Sequence, residues 1–169
     1  IQISRGAVAT TARPRHPLEP LSAEEVSRAV NLLREAGKVT PTTRFVSVAL
    51  KEPSKEFVHH LDGAAAPPRE AFAVLFDNAS NSCYETSVSL AEGVVLDWKH
   101  VPGVQPTMTI DEQAECEQAV LASPVFREAL KAHTGVDDAS LVMVDIWSTG
   151  NYGDEEDDQR RLARPLCFL

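Results

Sequence analysis

Two short signatures constrain this chain more than anything else in it: Ser-Ala-Glu-Glu at Ser22–Glu25 and Thr-Ile-Asp-Glu at Thr109–Glu112. In each, a hydroxyl residue stands three positions before a glutamate. This is the capping-box arrangement, in which the two side chains satisfy each other's backbone N–H groups at a helix start. After the first signature Val26, Ala29, Val30 and Leu33 recur at helical spacing and Gly37 supplies a stop, which predicts a helix over Ala23–Ala36. After the second, Ala114–Leu121 reads as helix. Pro124 then stands where a first-turn proline is tolerated in a further helix reaching His133.

Each helical stretch is followed by strand patterns. Arg44–Leu50 alternates, Ala71–Phe76 is a short apolar run, Ser82–Leu90 alternates with Ser and Thr, and Val94–Val101 closes the first set as one strand. Asp77–Asn81 reads as the hairpin tip, and Gly63–Pro68 as a loop. Pro102, Gly103 and Pro106 then break the chain before the pattern restarts, and Leu141–Trp147 and Arg161–Leu169 read as two more strands around an acidic loop, Asp154–Asp158. Ahead of everything, Pro14, Pro17 and Pro20 mark an extended arm. A helix on an antiparallel sheet, twice over, predicts an α+β chain of two small units. The expected division is an arm over residues 1–20, a first unit over 21–102 and a second over 103–169. The second unit is short of strands and the chain stops on an apolar run, features expected of a cut chain.

Composition narrows the function classes. Hydrophobic residues make up 43% and charged residues 24% of the 169, which is globular. The net charge of -9 argues against a nucleic-acid surface, because that affinity rests on Lys and Arg meeting phosphates. No window has the apolar length of a membrane-spanning helix. Cys83, Cys116 and Cys167 have no C-x-x-C spacing and read as thiols. Of the five His, only His59 and His60 are neighbours, and on a strand they would point to opposite faces. Asp154–Asp158 lacks the spacing of an EF-hand. Asp111, Glu112, Glu115 and Glu117 sit at a helix start, where the macrodipole favours them without any catalytic duty. Asn78-Ala79-Ser80 matches a glycosylation acceptor, relevant in a secretory compartment. Tyr152 follows Asn151, as a tyrosine-derived quinone precursor would, but Gly153 stands where an acid is needed and no H-x-H occurs. No catalytic constellation is legible.

The run RHPLEPLSAEEVSRAV, followed in order by FVSVALKEPSKEFV, PPREAFAVLFD, GVVLDWKHVPGVQPTMTIDEQAECEQAV, DIWSTGN and RRLARPLCFL, resembles the small domains that precede the catalytic domain of copper-containing amine oxidases. The resemblance spans Arg13–Leu169. It implies two cystatin-like α+β domains, and an enzyme that oxidises primary amines to aldehydes, releasing ammonia and hydrogen peroxide, with copper and topaquinone as cofactors. It implies a homodimer, a catalytic β-sandwich domain as neighbour, and no topaquinone Tyr, base Asp or copper His in this segment. The D-x-W-S-T-G match puts Trp147 on the wall of the substrate channel, where its indole would grip an amine by area burial and cation–π attraction. The T-I-D-E-Q match brings Gln113 into range of that channel, while Trp98 is read as packing. A peroxisomal or cytoplasmic setting is expected, with secretion left open. The rival reading is a free-standing cystatin-like binding module without catalytic activity.

Overall fold

Both capping boxes form. The computed structural model describes residues 16–60, 68–150, 153, 157 and 160–169. Ser22 accepts the Glu25 N–H at 3.3 Å and Glu25 accepts the Ser22 N–H at 2.8 Å, which starts helix α1 (Ala23–Glu35). Gly37 follows at φ +66°, a left-handed turn that costs little without a Cβ. Ala29 and Leu33, one turn apart on α1, are fully buried against the sheet that comes next in the chain.

That sheet holds β1 (Thr43–Leu50), β2 (Glu70–Asp77), β3 (Ser82–Ser89), β4 (Val94–Val95) and β5 (Lys99–Val101), all antiparallel. β1, β2 and β3 are consecutive neighbours, and both β4 and β5 pair with β3. Period-two alternation sends Ala71, Ala73 and Leu75 of β2 and Val88 of β3 under α1, where they form the main core. Trp98 packs at its edge and stacks on Tyr84 at 4.8 Å between ring centroids. The opposite register positions, Phe76 and Cys83, face away from α1 and are buried too. The cover over Phe76 comes from the second half of the chain.

In that half Thr109 accepts the Glu112 N–H and Glu112 accepts the Thr109 N–H, which starts α3 (Ile110–Ala122). Ser123 ends α3 and caps α4 (Pro124–Thr134) by accepting the Phe126 N–H at 3.4 Å. Two strands follow, β6 (Met143–Ser148) and β7 (Ala163–Phe168), antiparallel with Met143 opposite Phe168 and Trp147 opposite Arg164. Val144 packs on Leu130, Ala139 and Val142, with Leu121 and Phe126 around them.

Four expectations change. The strand Val94–Val101 is two strands: Asp97 accepts the Ser87 N–H at 2.8 Å on its side chain and the Thr86 hydroxyl at 2.6 Å on its carbonyl, pulling Leu96–Trp98 out of the ladder. The strand Leu141–Trp147 starts at Met143, because Asp138 caps a 3-10 turn over Ala139–Leu141 by accepting the Ser140 N–H. A short helix, α2 (Lys55–His59), was not expected. Ser54 caps it, and it places His59 and His60 at a helix end instead of on a strand. The strand Arg161–Leu169 starts at Ala163 because Arg161 is engaged elsewhere. Ile1–Arg15 of the expected arm, Gly63–Pro67 of the expected loop, Tyr152, and Asp154–Asp158 apart from Asp157 lie outside the described residues.

The helix-on-sheet core has a direct test. Leu33→Ala removes a fully buried side chain and is expected to cost about 3 kcal/mol, within the range for leucine truncation. Urea unfolding followed by circular dichroism measures it, and a loss below about 1 kcal/mol would contradict the packing of α1 on the sheet.

Candidate functional site

The polar centre of the molecule is built from the glutamate that closes each capping signature, Glu25 and Glu112. Glu112 is buried at 8% exposure, and Arg161 meets it with both ends of its fork: Nε donates to Oε1 at 2.9 Å and Nη2 donates to Oε2 at 2.9 Å. The same guanidinium donates from Nη1 to the Pro106 carbonyl and from Nη2 to the Thr107 carbonyl at 3.1 Å. Its flat face lies 4.6 Å from the Phe76 ring centroid, which supplies the missing cover over the first sheet. Burial alone would raise the Glu112 carboxyl. The Arg161 hydrogen bonds, the Thr109 N–H and the guanidinium charge outweigh it and hold the pKa at about 2.

The first half of the chain repeats the device. Arg69 Nε donates to Glu25 Oε1 at 2.7 Å and Nη2 to Oε2 at 3.1 Å, while Nη2 also reaches the carbonyls of Glu19 and Pro20. Glu19 and Pro20 stand three and two residues before the cap Ser22, just as Pro106 and Thr107 stand before the cap Thr109. The copies differ at one atom. Arg69 Nη1 is buried without a partner, whereas Arg161 Nη1 has the Pro106 carbonyl.

A second contact joins the halves at the surface. Arg44 of β1 donates through Nη2 to both oxygens of Glu115 at 2.7 and 3.0 Å, with Asp111 3.9 Å from its Nη1. The acids at the start of α3 therefore do more than complement the helix dipole: Glu112 is a buried ion-pair partner, and Asp111 and Glu115 hold β1. Neither Arg161 nor Arg44 stood out in the sequence. The only local signal was the capping-box glutamate itself, which needs a counter-ion when buried.

The residues singled out earlier are not gathered into one site. Trp147 lies on the outer face of β6, 59% exposed as a residue, and its Nε1 donates to Asp145 at 2.9 Å. Gln113 is exposed on the first turn of α3. A cleft of about 220 Å³ is lined by Met108, Ser148, Thr149, Arg160 and Arg161 among others, but by neither Trp147 nor Gln113. Among the described residues no group of three or more His, Cys, Asp or Glu could hold a metal ion. None of their helices is long and apolar enough to cross a membrane.

The fold is thus a helix-on-antiparallel-sheet α+β arrangement whose two halves carry the same carboxylate–arginine clamp and no metal-ligand set among the described residues. Known proteins resemble this chain in sequence and in fold. The AGAO-like N2 domain family matches residues 22–97. A primary amine oxidase of an Arthrobacter species is 42% identical over 155 residues, covering 91% of this chain and 23% of that protein. A peroxisomal copper-containing diamine oxidase of Nicotiana tabacum is 35% identical over 199 residues, covering 95% of this chain and 25% of that protein. The crystal structure of a copper-containing benzylamine oxidase from Hansenula polymorpha superposes with a TM-score of 0.74 at 19% identity, over 91% of this chain and 25% of that one, a likeness of fold. The chain aligns with the N-terminal region of copper amine oxidases. It spans about a quarter of the length of the relatives it matches.

The Glu112 clamp predicts an acid dependence. Its folded pKa lies below that of an unfolded glutamate, about 4.3, so unfolding takes up a proton as the pH falls. The clamp's contribution is complete above about pH 5 and disappears as the pH drops through the folded value of about 2. The upper limit is about 3 kcal/mol. In Glu112→Gln this portion of the acid destabilisation should vanish, read as a flatter unfolding free energy between about pH 5 and pH 2.5. Parallel pH profiles for the variant and the parent would show that Glu112 is not the titrating partner.

Proposed function

We propose that this chain is the non-catalytic N-terminal segment of a copper- and topaquinone-dependent primary-amine oxidase. Such an enzyme converts a primary amine, dioxygen and water to an aldehyde, ammonia and hydrogen peroxide. One observation carries the reading: a 42% identical match to a primary amine oxidase that runs through 91% of this chain. The described residues do not fit a copper ion, because His59 and His60 are consecutive at the end of α2 and the ring of His60 is engaged with the Glu56 carbonyl. No redox step is therefore assigned to them. Copper, the quinone and the catalytic base belong to the catalytic β-sandwich domain, the partner this segment packs beside in a homodimeric enzyme.

The chain's own work is then to shape surface. The proposed division is an arm over residues 1–20 and two units over 21–102 and 103–169, supported by the restart at Thr109 and the repeated clamp. On the second unit Met143, Trp147, Leu166 and Phe168 leave an apolar row exposed on the outer face of β6 and β7. An apolar row of that kind suits cover by a neighbouring domain. Within it Trp147 lines the substrate channel and meets the apolar body of the amine, with Gln113 a second channel residue. The net charge of -9 favours the approach of ammonium substrates at low ionic strength. The named peroxisomal setting of the tobacco relatives supports a peroxisomal or cytoplasmic location.

Two outcomes test this reading. The isolated chain is expected to bind no stoichiometric copper and to form no amine-dependent peroxide; turnover after copper loading would refute it. In the intact enzyme, Trp147→Ala is expected to change kcat/KM unequally across aliphatic and aromatic amines while quinone formation, followed by absorbance, stays close to normal. Uniform kinetics across the panel would remove Trp147 from the channel.

A further inference from the structure

Burial and strand register put two of the three cysteines on the facing sides of α3 and β7. Along α3, from Asp111 to Ala119, every residue is exposed except Glu112 and Cys116, which are one turn apart and so define the side turned to β6 and β7. On β7, Cys167 lies directly opposite Val144, and side chains opposite one another in an antiparallel pair share a face. Val144 packs into the Leu130 cluster beneath the helices, so Cys167 is on the helix-covered face. Cys167 nevertheless remains solvent-accessible, Cys116 is half-buried, and both are free thiols. Burial pushes the Cys167 thiol up, and so does Cys116.

We propose that Cys116 and Cys167 form an oxidative modification site that closes to a disulfide between α3 and β7 in the presence of a peroxide. The accessible Cys167 thiolate attacks one peroxide oxygen, breaking the O–O bond. This gives a sulfenic acid and, after protonation, water. The Cys116 thiolate then attacks that sulfur, the S–S bond forms, and the hydroxyl leaves as a second water. In sum, two thiols lose two electrons and two protons, and hydrogen peroxide is reduced to two waters. The raised thiol slows the first step, because the thiolate is the attacking form. Arg161 already fastens the entry to β7 onto Glu112 of α3, and the disulfide fastens the far end of the same strand to the same helix. The amine-oxidase reading would supply the oxidant, but the site rests on this chain's geometry alone.

Adding hydrogen peroxide directly to the 169-residue chain tests the site separately from any amine oxidation. Trypsin cuts after Lys99, Arg127 and Arg161, which puts Cys116 and Cys167 in peptides 100–127 and 162–169, each with a single cysteine. The expected result is a cross-linked pair of these peptides, lighter by two hydrogens than their sum and released by dithiothreitol, from protein that remains monomeric on a non-reducing gel. The oxidised chain should also unfold at higher urea, reversibly on reduction. In Cys116→Ser the link should vanish and Cys167 should be trapped as the sulfenic-acid adduct of dimedone. A Cys167 that advances to sulfinic acid in the unmodified chain without linking, a link to the buried Cys83, a link between two chains, or no reaction would each overturn the proposal.

Discussion

A carboxylate that closes a capping box has oxygen lone pairs left over, and a buried one must spend them on something. Taking Glu112 out of water costs several kcal/mol unless the charge is matched. Arg161 matches it with a two-pronged hydrogen bond, the geometry in which guanidinium and carboxylate attract most strongly. The arginine then turns its remaining donors on the carbonyls of Pro106 and Thr107, so the chain entering α3, the helix start and the entry to β7 meet at one side chain. Arg69 does the same for the chain entering α1, the cap of α1 and the entry to β2. The capping box therefore positions a sheet as well as starting a helix.

Arg161 has a further duty that Arg69 lacks, since its face covers Phe76 of the first sheet. Phe76 is almost fully buried although it points away from α1. Its burial depends on the second half of the chain. Arg44 Nη2 adds a contact shared between both oxygens of Glu115 nearby, but Glu115 is largely exposed and such a pair contributes at most about 1 kcal/mol. Between the halves, the desolvated arginine over the aromatic ring therefore contributes more strength than the surface ion pair.

Local features of this kind are legible in a sequence, and distant ones are not. The helix starts at Ser22 and Thr109, the stop at Gly37 and the break after α3 all follow from residues within a turn of each other, and each is where the spacing puts it. The partners of Glu25 and Glu112 lie 44 and 49 residues away, beyond any periodicity, so Glu112 read as one more acid at a helix start. The same limit hid the break in Val94–Val101. Nothing in VVLDWKHV reveals that Asp97 is held by Thr86 and Ser87 across the sheet. α2 escaped because five residues cannot display a helical period. Trp147 is a different case: an exposed strand tryptophan has no local mark of function, so its candidacy came from family resemblance alone.

The position of Trp147 nevertheless follows from physics on this chain. Two strands by themselves are marginal in water, and β6 and β7 persist because α3 and α4 cover one face. The covered face fixes the uncovered one, for strand side chains alternate: if Val144 and Ile146 turn inward, Met143, Asp145 and Trp147 must turn outward. The register with β7 sets Arg164 and Leu166 beside them. The lateral placement of β7 is in turn tied to α3 through Arg161 and Glu112, two residues ahead of the strand's first ladder position. A tryptophan on the open side of the sheet is therefore aimed by a salt bridge on the closed side, and a change at the clamp alters how firmly that indole is presented without touching it.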